Sequence, residues 1–359
     1  MSALLYRPDA DDVRDRLTAW WNGEDIGHPA LLLTAPRSEP FEEITIPPEP
    51  PGWTTDYSTS DYDYRVNLAL RACVATEHLG EALPSVSPDL APNCLALYLG
   101  GIGVEGDDTV WVKPILDDPG QASFEYDPDN FYWDFSWRLA QDQLRLGAGK
   151  FLTSFPDLIE GLDTLAALRG TQELLFDLVD QPGWVHDCLD QITDLYFVYY
   201  DKLYDAIKDD QGGSIFWGWA PGRMSKLQCD ISAMLSPAMF DEFMIPVLER
   251  MTAKLDYCMY HWDGPGAIPH HDSLLALENL PMIQWTPGAA VEPVTDPKWW
   301  PLYHKTLDAG KKMFLHVEEG EDLAAFKAEF GEKTKQFMLR MPVSTLQRAD
   351  EVLALLEDG

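Results

Sequence analysis

Positive charge is scarce in this chain: 26 Lys and Arg stand against 60 Asp and Glu, a net charge of −34 over 359 residues. Such a balance repels phosphate backbones and anionic lipid, which excludes nucleic acid and membrane surfaces as partners. It also argues against a strongly polyanionic substrate, unless a few arginines are concentrated in one pocket. A saline cytoplasm would favour the same acidic surface. Cysteine is scarce too. The five, Cys73, Cys94, Cys188, Cys229 and Cys258, are odd in number, widely spaced and without a Cys-x-x-Cys pair, so neither a disulfide framework nor an all-thiolate zinc site is expected. No apolar run approaches the roughly 18 residues that span a bilayer. Residues 1–20 carry acids throughout, so no secretory signal is expected and the cytoplasm is the natural address. Nucleophile-elbow, phosphate-loop and H-E-x-x-H motifs are missing.

What remains is ample apolar material, 46% of residues, enough for one domain over residues 1–359. Short apolar runs ending in Pro, Gly or a polar residue alternate with segments of helical spacing, the rhythm of a parallel sheet. Candidate strands are Ala30–Ala35, Cys94–Leu99, Lys150–Phe155, Ser214–Trp219, Asp256–His261, Met282–Trp285, Lys312–Val317 and Gln336–Met341. Eight such runs predict an α/β fold of the (β/α)8 barrel class, with a long N-terminal excursion over the mouth. Residues 1–28 are expected to hold an N-terminal helix. Helices are also expected over Leu174–Lys208, broken near Pro182, over Pro237–Lys254 with Ser236 as its cap, and over Ala349–Leu356. Residues 36–64, rich in Pro, Glu, Asp and Tyr, read as a loop or lid.

Barrel chemistry sits at the C-terminal ends of strands, and here those ends are polar. They read Thr34 to Arg37, Trp219 to Arg223, Tyr260 to Gly264, Gln284 to Pro287 and His316 to Glu319. His261 and Asp263 are two apart, so on an extended strand both face one side and could grip one metal or share one proton. Alternatively, Asp263 caps the next helix and His261 is a core histidine. His316 and Glu318 repeat the spacing on a later strand, as further N/O ligands or as the start of a solvated acidic loop. Asp230, beside Gln228 and Cys229, reads as a general base, a partner of His261 or a cap. The pair His270 and His271 cannot face one metal on a regular helix and is expected at the surface or behind the ligands. Gly101, Gly103 and Gly106 spell G-x-G-x-x-G, but the acidic, strand-like residues that follow offer no helix N-terminus for a dinucleotide. Among 13 tryptophans, most are packing, while a few suit a cationic methylammonium group or a sugar face.

Several segments together resemble the uroporphyrinogen decarboxylase superfamily. They are Leu227 to Asp230 followed by Leu235 to Phe240, Tyr260 to Gly266, Asp157 to Gly170, and Ile283 to Trp285 with Pro287 and Gly288. The chain most resembles the corrinoid-linked methyltransferase relatives within that superfamily. What the resemblance implies is a barrel and methyl transfer, although fold alone never fixes the reaction. Arg37 stands alone where the decarboxylases have paired arginines, so porphyrinogen decarboxylation is not expected. Asp263 replaces the first thiolate of the superfamily's zinc methyltransferases, and Met341 lies near the second. No D-x-H-x-x-G cobalt-ligating motif is present, so cobalamin would belong to a partner corrinoid protein.

The expectation is therefore a methyltransferase component acting on a small methylated compound. Its divalent metal, for which zinc is the precedent, would be held by His261, Asp263, His316 and Glu318. Asp230 would tune His261, and Arg37, Trp111, Arg223, Gln228, Tyr260 and Trp285 would position substrate. A homodimer is allowed for. The alternative is a hydrolase or lyase acting on a carbohydrate-like substrate through Asp230 and Asp263.

Overall fold

Residues 4–357 are described by the computed structural model. Its strands are β1 (Ala30–Pro36), β2 (Thr76–Gly80), β3 (Ser85–Val86), β4 (Ile102–Glu105), β5 (Val110–Lys113), β6 (Leu152–Thr153), β7 (Ser214–Phe216), β8 (Gly218–Ala220), β9 (Met224–Gln228), β10 (Tyr257–Asp263), β11 (Met282–Thr286), β12 (Lys312–His316) and β13 (Phe337–Pro342). The main sheet runs β2-β1-β13-β12-β11-β10-β9. Every neighbouring pair in it is parallel except β1 and β2. Three short pairs, β3 with β6, β4 with β5 and β7 with β8, stand apart from it. The fold is thus mixed α/β around a mostly parallel sheet of seven strands.

Near-continuous apolar runs make these strands because both faces are covered. On the outer face, Trp262 and Trp285 are register partners and pack with Trp299 at centroid distances of 4.6 and 5.2 Å. The other face carries the polar side chains. Buried apolar residues from Leu4 to Leu356 form one contiguous core.

Several expectations change. The N-terminal helix is confined to Ala10–Trp21. Cys94–Leu99 is not a strand: Cys94–Tyr98 is a short helix, wholly buried, with the Asn93 side chain accepting from Ala96 N at 3.3 Å. A short apolar run bears no period that separates the two structures, and here the cap decides. Ser214–Trp219 is split at Trp217, whose φ of +56° turns the chain into the antiparallel β7–β8 hairpin. The strand that joins the main sheet is β9 instead. Residues 174–208 do break at Pro182, into Thr171–Asp180 and Pro182–Ile207. Pro237–Lys254 is two helices, Pro237–Phe243 and Ile245–Thr252, and the Ser236 hydroxyl does accept from Met239 N. Of the loop expected over residues 36–64, residues 37–61 hold no helix or strand, while Pro36 ends β1 and Tyr62 to Tyr64 begin a helix, Tyr62–Val74, capped by Asp61. Ser58 and Thr59 tie that loop to Glu105. The glycine-rich stretch opens the β4–β5 hairpin rather than a helix.

His270 and His271 are core residues, at 1% and 3% exposure, not surface ones. His270 bonds Ser232 O at 2.8 Å and stacks on Phe240. Thr306 directs its hydroxyl hydrogen at Leu302 O, so His271 Nε2 donates to Thr306 Oγ1 at 2.9 Å. Burial, helped by Lys305, pulls the His271 pKa down to about 4 from 6.5. A histidine depressed in the folded state gives a contribution that is complete above about pH 6.5 and is lost as pH falls towards 4. We therefore expect the urea midpoint of the native chain to fall further between pH 7 and pH 4.5 than that of His271→Gln, which keeps a donor but cannot titrate. Equal slopes would show that acid sensitivity arises elsewhere.

Candidate metal and acid–base site

Gln228, His261 and Gln284 are register partners on β9, β10 and β11, so their side chains form one row across three strands. Gln284 Nε2 donates to Trp285 O at 2.9 Å and to Thr286 Oγ1 at 2.8 Å. A carbonyl can only accept, which fixes the orientation of the amide. Gln284 Oε1 therefore faces His261 Nδ1, and that nitrogen is the donor. The lone pair is left on Nε2. Burial first, and then Lys226, pulls the His261 pKa down to about 4 from 6.5, so the ring is neutral at physiological pH.

Gln228 is oriented in the same way. Its Oε1 accepts from the buried Lys226 ammonium, and its Nε2 donates to Asp230 Oδ2 at 3.0 Å and Asp163 Oδ2 at 3.2 Å. Lys226 is itself held by Asp157 at 2.8 Å. Asp163, in the first turn of the helix Gly161–Arg169, also accepts from the amides of Asp230 at 2.7 Å and Ile231 at 3.0 Å. The neighbouring Glu160 accepts from Gln228 N at 2.8 Å.

The result is a cluster in which a ring nitrogen of His261 and carboxylate oxygens of Asp230 and Asp263 all lie within 4.8 Å of one another. Oxygen and nitrogen ligands about 2.1 Å from a cation sit at most about 4.2 Å apart, so small side-chain adjustments suffice to enclose one. The donors are hard and include no thiolate, which suits a divalent cation binding oxygen substrates. Without a cation the carboxylates crowd each other. Burial of its carboxyl end, then Asp163 and Asp263, raise the Asp230 pKa to about 7, even though the residue as a whole stays solvent-exposed. Burial raises Asp263 as well.

The structure brings together His261, Asp263, Asp230 and Gln228 of the expected residues. Asp230 joins the donors, and the partner that orients His261 is Gln284. Trp111, 68% exposed on β5, lines a cavity of about 570 Å³ together with Asp163, Gln228 and Asp230. The others fall elsewhere. His316 stands across Trp217 from His261, at 4.7 and 5.9 Å from the indole, and is not in the cluster. Glu318 is exposed in the acidic loop, where its amide bonds Glu321. Arg37 pairs with Glu77 and lies over Phe41. Arg223 precedes β9, at the opposite end of that strand from Gln228, and pairs with Asp201 at 2.5 Å. The hairpin at Trp217 reverses the chain, so what reads as a strand end is a strand beginning. Tyr260 and Trp285 alternate with His261 and Gln284 and face away, both buried. Sequence reasoning missed Lys226 and the roles of Asp157 and Asp163; the signal was a lysine two residues before Gln228, hence on the same face of an extended strand.

Gln284→Leu should lower divalent-metal affinity by about 10- to 100-fold, as loss of a ligand-orienting partner does, while leaving the fold intact. Competition with a chromogenic chelator measures it, and unchanged affinity would show that Gln284 does not orient the ring. No protein-family model matches this chain and no curated protein matches it, so the chemistry is argued from the geometry of the site.

Proposed function

We propose that this chain is an enzyme that holds a divalent cation at Asp230, His261 and Asp263 and acts on a small molecule entering the adjoining cavity. The observation that carries this reading is the convergence of the three donors within 4.8 Å, with the imidazole neutral and its lone pair on Nε2. Such a cation, when bound, supplies Lewis-acid polarisation of an oxygen or nitrogen of the substrate. The chain's own part is to orient His261 through Gln284, to orient Asp230 through Gln228, and to line the approach with Trp111 and Asp163.

The reaction we assign is methyl transfer from a small methylated compound to a corrinoid carried by a partner protein, on the strength of the resemblance to the uroporphyrinogen decarboxylase superfamily. The heteroatom would keep the electron pair of its broken bond to the methyl carbon and take up a proton, and the partner's corrinoid, in its reduced cobalt(I) state, would supply the pair for the new bond to carbon. With this goes a closed (β/α)8 barrel in the cytoplasm. Supporting closure, the β3–β6 pair and the bond from Phe155 N to Ile215 O at 3.1 Å lie in the sequence interval between β2 and β9, the edge strands of the main sheet. Among the described residues, no helix is long and apolar enough to cross a membrane.

A second reading is favoured by one observation, the elevation of Asp230 to about 7. Without metal, Asp230 would be a general acid and Asp263 its partner in a hydrolase or lyase acting on a carbohydrate-like substrate, with Trp111 stacking on the sugar. Elemental analysis separates the two. We expect stoichiometric divalent metal in the native protein after dialysis against a weak chelator, and its loss in His261→Ala and Asp263→Ala. A native protein without metal, and unable to take up zinc, manganese or magnesium, would overturn the first reading in favour of the second.

A further inference from the structure

Arginine in this chain is mostly committed to carboxylates: Arg14, Arg16, Arg37, Arg169, Arg223 and Arg250 all form ion pairs. Arg340 does not. On β13 it is the register partner of His316 on one side and Leu32 on the other, and it lines a cavity of about 130 Å³ together with Thr34, His78, Ser85 and Trp217. Among the described residues, no hydrogen bond or ion pair reaches its guanidinium group. The one acid in that cavity wall, Glu81, is already engaged, accepting from Arg16 Nε at 2.9 Å and Leu31 N at 2.8 Å. A guanidinium group stays charged at any physiological pH. The residue is solvent-exposed, so water in place of a carboxylate satisfies its guanidinium group, which stays open to an incoming anion.

Its position suggests a use. The Trp217 ring touches both His316, beside Arg340, and His261, in the donor cluster. Along the sheet, β13 is three strands from β10, about 14 Å at the usual spacing. A small molecule lying against Trp217 can therefore reach towards both. We propose that Arg340 binds a carboxylate of the substrate, so that the enzyme acts on small carboxylic acids whose reactive end lies at Asp230, His261 and Asp263. The assignment of the reactive end rests on the metal reading above; the carboxylate site does not. One planar fork matches the two oxygens of a carboxylate. A phosphate dianion would need further cations, and Lys226, the other cation near Trp217, at 5.9 Å, is neutralised by Asp157.

The test uses propionate and inorganic phosphate as probes, titrated calorimetrically into metal-stripped protein at constant ionic strength. Native protein, Arg340→Gln, Arg340→Lys and His261→Ala are compared, with circular dichroism confirming that each is folded. We expect saturable propionate binding in the native protein and in His261→Ala. Arg340→Gln should weaken it by about tenfold or more, and Arg340→Lys should recover part of the loss. The proposal is overturned if propionate does not bind, if it binds Arg340→Gln as well as the native protein, or if phosphate binds more tightly. Because metal is absent throughout, failure of the metal assignment leaves these outcomes unaffected.

Discussion

A single buried ammonium group organises the site. Lys226 is 3% exposed, and burying it is tolerable only because Asp157 and the Gln228 side-chain carbonyl accept its hydrogen bonds. That contact fixes which way the Gln228 amide points, and the amide in turn places Asp230 against Asp163. Removing one partner of such a buried pair typically costs about 3–5 kcal/mol, because the remaining charge is stranded. Orientation at the strand ends therefore begins one layer below the residues that would do chemistry.

Parallel pairing supplies the rest. Because β9, β10 and β11 are in register, a polar residue on one strand finds a polar neighbour on the next, and the alternate positions give their aromatic rings to the helix-covered face. The two faces are thus chemically separate although they are interleaved in sequence, with Trp262 between His261 and Asp263.

Strand alternation and polar strand ends are local patterns, which is why β1, β10, β11, β12 and β13 and the pairing of His261 with Asp263 could be read from the sequence. The failures share a cause. Cys94–Leu99 has no period to separate helix from strand, and its conformation depends on the Asn93 cap and on backbone bonds to Asp157 and Leu158. Arg223 was misplaced because a left-handed tryptophan reverses the chain, and tryptophan carries no turn signal. His316 and Glu318 share a spacing with His261 and Asp263, but the chain leaves the sheet after His316 and carries Glu318 into solvent. Asp163 and Arg340 needed the third dimension, since what marks them is the company they keep or lack.

The groups that orient the donors are both glutamines, and an amide transmits direction without adding charge. With the imidazole neutral, the formal charge of the donor trio when ready for a cation comes from Asp230 and Asp263 alone. Within the trio itself, two negative charges would balance one dication. Asp163, hydrogen-bonded to Gln228 beside Asp230, adds its own negative charge to the wall of the adjoining cavity, so the anionic end of a substrate would be favoured only away from the donors, beside an unpaired cation. In this fold, recognition and activation can thus be tuned separately, on strands that are not neighbours.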